Sequence, residues 1–436
     1  MLPGAGTVPA PAGLVLAPFR ALRYDAAVAG DLSRLTSPPY DVIDADGVAA
    51  LEAASDHNVV RLILPRDDAG HTGDRYRRAA RTLSRWRADG ILRPDPASAL
   101  YVYEQRSPGG HAQRGLLGAL GLAQPEAGIV LPHENTMAGP VSDRLALYEA
   151  VDADLEPIFL VYSGGGAASA AVAGADGAPP LVDVTLADGL RHRLWALTDP
   201  QLLAEIAADL APRVAVIADG HHRYATYLQR QAARHAAGAG TGPWDYGLTF
   251  LVDATAFGPQ VHPIHRVIPG RPAPELAAAS AGGMAVRQVA DVAEGLAELA
   301  AAAVSGPASG PAFVLAGGPA GPAWLLTDPD PVRLAAALPA ERSAAWRGLD
   351  VSVLHSYLVS DLWGLPDTVD AVGYEHDVPA TLAAAQQSGG TAVLLNPTPV
   401  DAVTSVASSG ERMPRKSTLF TPKPQTGLVI RDHRDA

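Results

Sequence analysis

One short segment constrains the possible folds of this chain more than any other. Between Arg213 and Tyr224, an apolar run from Val214 to Ala218 is followed by Asp-Gly and then by His-His-Arg-Tyr. The run predicts a buried strand, the glycine predicts a tight corner, and the following residues predict a helix. A helix that starts at such a corner presents unpaired backbone N–H groups and the positive end of its dipole. The segment therefore favours an anion site in a protein that mixes strands and helices.

The same corner would also fit an ordinary strand–turn–helix connection with solvated histidines. The cluster of side-chain donors directly after the glycine favours the functional interpretation, because His and Arg add hydrogen bonds and charge to those of the backbone. We predict that Asp219, Gly220, His221, His222 and Arg223 form a phosphate or carboxylate site.

The charge balance and the absence of cysteine exclude several classes of protein. The chain carries 33 Lys and Arg against 46 Asp and Glu, a formal net charge of −13, which argues against a dedicated nucleic-acid surface. Without cysteine, disulfides, thiolate catalysis and cysteine-ligated metals are excluded. The first residues lack the features of a signal peptide, and no run of about 18 apolar residues occurs. We expect a cytoplasmic globular protein with no membrane partner.

Lysine occurs at two positions only, Lys416 and Lys423. An ammonium group is a compact point charge that a guanidinium group does not replace, so a chemical requirement and chance explain this usage equally well. Lys416, Ser417 and Thr418 resemble the end of a phosphate-binding P-loop, but Arg415 stands where that motif requires glycine. A P-loop is thus excluded, although these three residues can still bind phosphate through charge and hydroxyl groups.

Periodicity and composition predict an α+β (mixed α/β) protein of several regions. The predicted regions are a loose N-terminus (1–16), an N-terminal α+β region (17–125), a core (126–268) with an insertion (163–212), a Pro/Ala/Gly-rich linker (269–283) and a C-terminal α+β domain (284–436) that ends in the basic Lys-Ser-Thr segment. We also predict a strand over Asn58–Leu64, a hairpin formed by 181–186 and 190–197, and a helix over 200–210.

A second group of polar residues lies upstream of the corner. Glu134 follows a predicted strand end beside His133, and Arg144 comes ten residues later. Near the helix start Glu134 would serve as a general base; its alternative role is that of a surface or helix-capping carboxylate. Asp219 has two possible roles as well, as an oxygen ligand of Mg²⁺ or as a cap of the helix.

A metal-dependent hydrolase is a competing interpretation of the two adjacent histidines. His221, His222 and a third ligand would form a transition-metal site. The chain contains no His-Glu-x-x-His zinc signature and no Gly-x-Ser-x-Gly nucleophile elbow. This interpretation therefore depends on the histidine pair alone.

Across most of its length the chain resembles the bacterial and archaeal family called "domain of unknown function 1015". The matching blocks, in order, are Pro18–Arg20, Ser37–Ile43, Asn58–Leu62, His133–Thr136 with Asp143 and Arg144, Ala218–Tyr224, and Met413–Lys423. So many blocks in the same order make the resemblance specific. It implies a family but no reaction.

A more distant resemblance implies a reaction. Leu131–Glu134, Arg144, Pro157-Ile158 and Asp219–Arg223 are similar, in that order, to motifs of free-serine kinases built on the ParB/sulfiredoxin fold. It implies a ParB/sulfiredoxin-like core with N-terminal and C-terminal α+β extensions. In those kinases the glutamate of the His-Glu pair activates the serine hydroxyl, and the Asp-Gly-His-x-Arg turn binds nucleotide phosphates. Here Glu134 would be the base, while Asp219, Gly220, His221, His222 and Arg223 would bind phosphate and magnesium.

Of two other activities of that fold, this sequence excludes one and disfavours the other. Sulfiredoxin requires a catalytic cysteine at the position that His221 occupies, which excludes its chemistry. ParB proteins bind DNA through a helix-turn-helix and basic surfaces, which the net charge of −13 disfavours. The chain is therefore predicted to be a phosphotransferase that uses ATP or ADP with Mg²⁺ and acts on a small hydroxylated metabolite, free L-serine first. A non-catalytic nucleotide-binding switch or metabolite sensor is the alternative. Candidates for completing the pocket are His133, Arg144, Arg20, Lys416, Ser417, Thr418 and Lys423. Sequence does not determine the oligomeric state.

Overall fold

The computed structural model describes residues 8, 10–67, 74–304 and 310–435, and it confirms a mixed α+β protein. The chain divides into two compact units. The first comprises residues 1–259 together with 422–436, and the second comprises residues 260–421. The C-terminal segment thus returns to the first unit.

The strands are β1 (Leu16–Ala17), β2 (Leu22–Tyr24), β3 (Leu92–Pro94), β4 (Leu100–Arg106), β5 (Ala112–Gly121), β6 (Val130–Leu131), β7 (Ala153–Asp154), β8 (Ile158–Tyr162), β9 (Val182–Thr185), β10 (Arg191–Leu197), β11 (Ala215–Asp219), β12 (Tyr246–Asp253), β13 (Gln260–His262), β14 (His265–Ile268), β15 (Ala285–Val289), β16 (Phe313–Ala316), β17 (Ala323–Thr327), β18 (Gly373–Glu375), β19 (Thr391–Leu395), β20 (Leu419–Thr421) and β21 (Arg431–Asp432).

The α-helices are α1 (Ala26–Ala29), α2 (Ala45–Ala54), α3 (Val60–Ile63), α4 (Arg75–Ala88), α5 (Ala138–Val151), α6 (Gly166–Gly174), α7 (Pro200–Leu210), α8 (His221–Ala236), α9 (Ala273–Ser280), α10 (Val292–Val304), α11 (Pro331–Ala337), α12 (Ala344–Arg347), α13 (Asp350–Val353), α14 (Val378–Gln387) and α15 (Val400–Ser408). A π-helix spans Leu354–Leu362. Within the described ranges, no helix has both the length and the apolar character needed to cross a bilayer.

The first unit is built on a nine-stranded mixed sheet in the order β6-β11-β8-β12-β5-β4-β10-β9, with β1 paired to β5. The short strand β6 runs parallel to β11, with Val130 opposite Ala215 and Leu131 opposite Val216. Because parallel strands end at the same edge of a sheet, the loop after β6 and the corner after β11 emerge side by side. Helices α5 and α8 follow them, and their tyrosines Tyr148 and Tyr227 stack with ring centroids 5.5 Å apart.

Strands from different predicted regions pair with one another, so the region boundaries predicted from composition do not coincide with the structural units. Strand β5, from the predicted N-terminal region, pairs with β12 of the predicted core. The last residues, expected in the C-terminal domain, pair through β21 with β7 of the first unit. Of the predicted loose N-terminus, residues 1–7 and 9 lie outside the described residues, and Leu14 and Leu16 are buried in the core rather than loose.

Two local predictions are wrong, and the tertiary contacts explain why. Asn58–Leu64 contains helix α3 instead of a strand, since the Asn58 side chain accepts a hydrogen bond from Val60 N (2.9 Å) and starts a turn. A short apolar run buried on all sides fits either structure. The predicted linker 269–283 contains α9, whose Leu276 and Ala277 are buried, so this segment is part of the second unit.

The second unit contains a six-stranded antiparallel sheet in the order β15-β17-β16-β19-β14-β18. Its core joins strand residues such as Val314 and Leu394 to Leu299 of α10 and Leu382 of α14. Strands β13 and β20 form a separate antiparallel pair.

Candidate functional site

The corner after β11 has the geometry that its sequence predicts. Gly220 adopts φ +94°, a conformation that favours glycine, and a Cβ atom there would lie 3.1 Å from both Arg223 Nε and Ile158 Cγ2. Helix α8 begins at His221, and no side chain caps it through a hydrogen bond. The corner thus directs the positive end of a 16-residue helix towards the neighbouring loop.

The two adjacent histidines bind the backbone of the loop that carries Glu134. Nε2 of His221 accepts a hydrogen bond from His133 N (3.2 Å), and Nε2 of His222 accepts one from Met137 N (3.0 Å). The partners in these bonds are 88 and 85 residues apart in sequence. The structure therefore brings the two predicted groups of residues together through hydrogen bonds of the histidine pair.

Glu134 lies beside the start of α8. Its Oε2 is 3.9 Å from Nδ1 of His221, and its side chain is 37% exposed. Because Nε2 of His221 accepts a hydrogen bond, a neutral ring carries its proton on Nδ1, the atom nearer to the Glu134 carboxylate. The buried ring of His133 packs edge-on against that of His221, with centroids 4.7 Å apart. An accessible carboxylate is thus held at a helix start, where a general base would serve.

Lys423 is bound at this corner by two carboxylates. Its Nζ lies 2.7 Å from Oδ1 of Asp219 and 3.4 Å from Oδ2 of Asp41. Burial works against the ammonium form, but the carboxylates of Asp219 and Asp41 raise the pKa of Lys423 above its ordinary value. One of the two lysines therefore contributes a permanent positive charge to the predicted anion site.

Arg223 stabilises the corner from inside the protein. Its guanidinium is fully buried, donating from Nη1 to Pro157 O (2.6 Å) and from Nη2 to the Asp219 carboxylate. Burial opposes the charge, but Asp219 and Glu156 raise the pKa of Arg223 further above its ordinary value. These two terminal nitrogens, predicted to bind phosphate, are already used to connect the strand end to the helix.

Replacing Arg223 with methionine is expected to lower the free energy of unfolding by about 3 kcal/mol, since it removes the buried guanidinium that binds both Asp219 Oδ2 and Pro157 O. Denaturant titration measures the change. Arg234→Met in the same helix is the matched control, because Arg234 is 42% exposed and lies 4.0 Å from Asp152; we expect a change within ~0.5 kcal/mol there. Equal effects of the two substitutions would contradict this role of Arg223.

Arg144 contacts the ring of Tyr40, the residue that precedes Asp41. It is buried and donates to Ile63 O (2.7 Å) and to Asp143 Oδ2 (2.6 Å), while its guanidinium carbon is 4.3 Å from the ring centroid of Tyr40. Burial raises the pKa of Tyr40 to about 12, so the phenol stays neutral. Arg144 thus supports the segment that carries Tyr40 and Asp41.

Three residues of this region were not predicted from the sequence. Glu156 is completely buried; its Oε1 accepts a hydrogen bond from Tyr40 N (2.9 Å), and burial raises its pKa. Tyr40 and Asp41 belong to the block Ser37–Ile43, which carries the family resemblance. That block was the available signal, but its polar residues lie far in sequence from the corner.

The remaining predicted pocket residues have other partners. Arg20 donates from Nε to Asp95 O (3.0 Å) and lines a cavity whose walls include none of the corner residues. Lys416, Ser417 and Thr418 belong to the second unit, where Lys416 O accepts a hydrogen bond from Arg266 (3.0 Å) and Ser417 O accepts one from Thr398 (3.2 Å). The predicted Lys-Ser-Thr segment is therefore separated by the unit boundary from Lys423.

The histidine pair does not have the arrangement of a transition-metal site. A neutral imidazole has one acceptor nitrogen, and in both His221 and His222 that nitrogen accepts a backbone N–H. Among the described residues, no group of three or more His, Asp or Glu side chains is placed to bind a metal. The hydrogen bonds thus favour support of the loop as the role of these histidines, rather than the metal ligation that the hydrolase interpretation requires.

The bond from Met137 N to His222 makes this support sensitive to pH. Burial lowers the pKa of His222, so the ring stays neutral in the folded protein, whereas the unfolded ring takes up a proton below about pH 6.5. The unfolded state then binds more protons, and stability falls as pH decreases through that range.

We expect His222→Gln, which keeps an acceptor but does not titrate, to lose less stability than the wild type between about pH 7.5 and 5.5. The difference should be about 1.4 kcal/mol or less, because the unfolded ring takes up its proton over about one pH unit below 6.5. Thermal unfolding at both pH values measures it. Parallel losses in the two proteins would show that His222 does not contribute.

Comparisons with known proteins place the chain in a family. Residues 16–352 match the family described as "Protein of unknown function (DUF1015)", and the chain belongs to it, which confirms the predicted membership. No curated protein matches the chain.

Several solved structures are similar at low identity. A free serine kinase in complex with AMP is 14% identical with a TM-score of 0.33, over 69% of this chain and 88% of that one. SbnI with a C-terminal truncation, from Staphylococcus aureus, is 11% identical with a TM-score of 0.33, over 72% and 87%. A conserved hypothetical protein from Pyrococcus furiosus is 13% identical with a TM-score of 0.31, over 70% and 94%.

Proposed function

We propose that this protein transfers a phosphoryl group from ATP or ADP to a small hydroxylated metabolite, with free L-serine as the first candidate. One observation carries the proposal. Backbone hydrogen bonds to His221 and His222 hold the Glu134 loop against the start of α8, where Lys423 adds a positive charge. A base and an anion site at one point are the two parts that phosphoryl transfer to an alcohol requires.

Each residue has a defined role in the proposed reaction. Glu134 accepts the proton of the acceptor hydroxyl while the hydroxyl oxygen forms a bond to the terminal phosphorus. The bond between that phosphorus and the nucleotide breaks, and the leaving nucleotide keeps the electron pair. The start of α8 and the ammonium group of Lys423 stabilise the negative charge on the phosphates. Arg223 and the two histidines are positioning residues, since their hydrogen bonds hold the corner and the loop.

The corner also fits a magnesium–nucleotide complex. Mg²⁺ is commonly bound in proteins by one or two carboxylates together with substrate phosphates. Asp219 and Asp41 would supply these carboxylates if the ammonium group of Lys423, which lies 2.7 and 3.4 Å from them, turns to the phosphates. When bound, the ion neutralises charge on the phosphate oxygens.

L-serine is the first candidate acceptor because the order of the motifs around Glu134 and the corner resembles that of free-serine kinases. The geometry itself requires only a hydroxyl group within reach of the Glu134 carboxylate. Serine, threonine and small polyols therefore form the set of acceptors to be compared.

The test incubates the protein with Mg²⁺, ATP or ADP, and L-serine, and detects O-phosphoserine by mass spectrometry. We expect product that depends on protein, nucleotide and acceptor. Nucleotide binding by calorimetry without turnover of any acceptor would reject the kinase and identify a nucleotide-responsive switch or metabolite sensor. Absence of nucleotide binding would reject both.

A further inference from the structure

A cavity lies in the first unit, at the point where the N-terminal strands meet the C-terminal tail. Its volume is about 590 Å³, within the range of small-molecule sites. Its lining includes Arg20, Arg431 and Asp435 but none of the corner residues described above. The block Pro18–Arg20, which carries part of the family resemblance, thus contributes to this cavity.

The cavity has an apolar wall. Phe19 and Leu122 in this wall are buried, and Pro11, Val15 and Ala17 extend the wall along the chain. An apolar surface of this kind favours a ligand with a hydrocarbon or aromatic body.

The polar side of the cavity has unused hydrogen-bond donors. Arg20 uses Nε for Asp95 O, and its two terminal nitrogens have no hydrogen-bond partner among the described residues. Arg431 donates from Nη1 to Asp154 (2.8 Å) and from Nη2 to Pro243 O (2.9 Å), and its Nε is enclosed by protein, so this buried guanidinium does not reach a ligand. An anion in the cavity would therefore accept hydrogen bonds from the terminal nitrogens of Arg20, which are strong because the donor is charged.

The carboxylates of the cavity are already bound by other groups. Asp435 forms an ion pair with Arg87. Asp245 accepts hydrogen bonds from His235 (2.6 Å), Gln231 (3.0 Å) and Gly242 N (2.9 Å). The donors left for a ligand are therefore the terminal nitrogens of Arg20.

We propose that this cavity is a second ligand site, which binds a small organic anion with its carboxylate or phosphate on Arg20 and its apolar body on the Phe19 wall. The site is independent of the phosphotransfer proposed above, because it shares no lining residue with the corner. A carboxylate and a phosphate group would both accept charged hydrogen bonds from Arg20, and the experiment below distinguishes the two kinds of ligand.

The test titrates the full chain with benzoate and with phenyl phosphate by calorimetry, and uses benzyl alcohol as the neutral probe. We expect one of the anions, or both, to bind and benzyl alcohol to bind at least about tenfold more weakly, the ratio expected for a charged hydrogen bond. Two variants locate the site. Arg20→Gln removes the charge, and Ser98→Trp places an indole at an exposed residue of the lining.

Each variant should weaken binding of the preferred anion by about tenfold or more. Arg93→Gln is the control; Arg93 is 62% exposed, pairs with Asp25 and is not part of the lining, so affinity should be unchanged. The proposal is overturned if neither anion binds at millimolar concentration, if benzyl alcohol binds equally well, or if both site variants retain wild-type affinity. Circular dichroism establishes that each variant is folded.

Discussion

Glu134→Gln is expected to reduce the turnover of phosphoryl transfer by about 10³-fold, the middle of the range for loss of a general base. Glutamine has nearly the same shape but does not accept a proton. The acceptor hydroxyl would then have to lose its proton to water. Nucleotide affinity should stay within about twofold of the wild type, because the phosphate site is formed by the corner and Lys423. Initial rates of O-phosphoserine formation and nucleotide calorimetry measure the two quantities.

The chain offers a matched control for this substitution. Glu126→Gln makes the same chemical change at an exposed glutamate eight residues upstream, and its rate should equal that of the wild type. If Glu134→Gln retains full activity, the assignment of the base is wrong, although the nucleotide site would still stand.

Lys423→Gln is expected to weaken nucleotide binding by about 10- to 100-fold, the effect of losing a charged hydrogen bond to phosphate. Removing the ammonium group also leaves the carboxylates of Asp219 and Asp41 without their shared cation, so they would repel the phosphates. Calorimetric titration with ADP in the presence of Mg²⁺ measures the change.

Lys416→Gln is the natural control, because Lys416 is the only other lysine. It is an exposed residue of the second unit, and its ammonium group forms no ion pair with any described residue. We expect its affinity for ADP to match that of the wild type. If Lys416→Gln loses more affinity for ADP than Lys423→Gln does, then Lys416 rather than Lys423 supplies the charge that binds the phosphates.

Local structure was predictable wherever periodicity and turn chemistry agree. The hairpin before the corner is found as β9 and β10, the helix over 200–210 is found as α7, and the strand before Asp219 is found as β11. An Asp-Gly turn joins the two strands of the hairpin, and an Asp cap before proline starts α7. Each of these signals acts within a few residues. The apolar run after Asn58 had no such signal, and a side-chain hydrogen bond made it a helix.

The candidate site was predictable only in part, for a related reason. His221, His222 and Glu134 were identifiable from chemistry and spacing, but the bonds between them depend on β6 and β11 running side by side. Asp41 and Glu156 had no local pattern that indicated the corner. The partners of a charged group depend on which distant segments fold next to it, and sequence periodicity does not describe that.

By itself the sequence determined the local elements that have clear turn or capping signals, the family and the chemical groups available: no thiol, two lysines and an Asp-Gly-His-His-Arg corner. Tertiary structure decided which of these groups meet. The chain returns to the first unit at residue 422, which places Lys423 beside Asp219, whereas Arg20 lines a cavity that contains none of the corner residues. The physical reason is that hydrogen bonds and ion pairs act over a few ångströms, so the separation of residues in space, rather than along the chain, decides their chemistry.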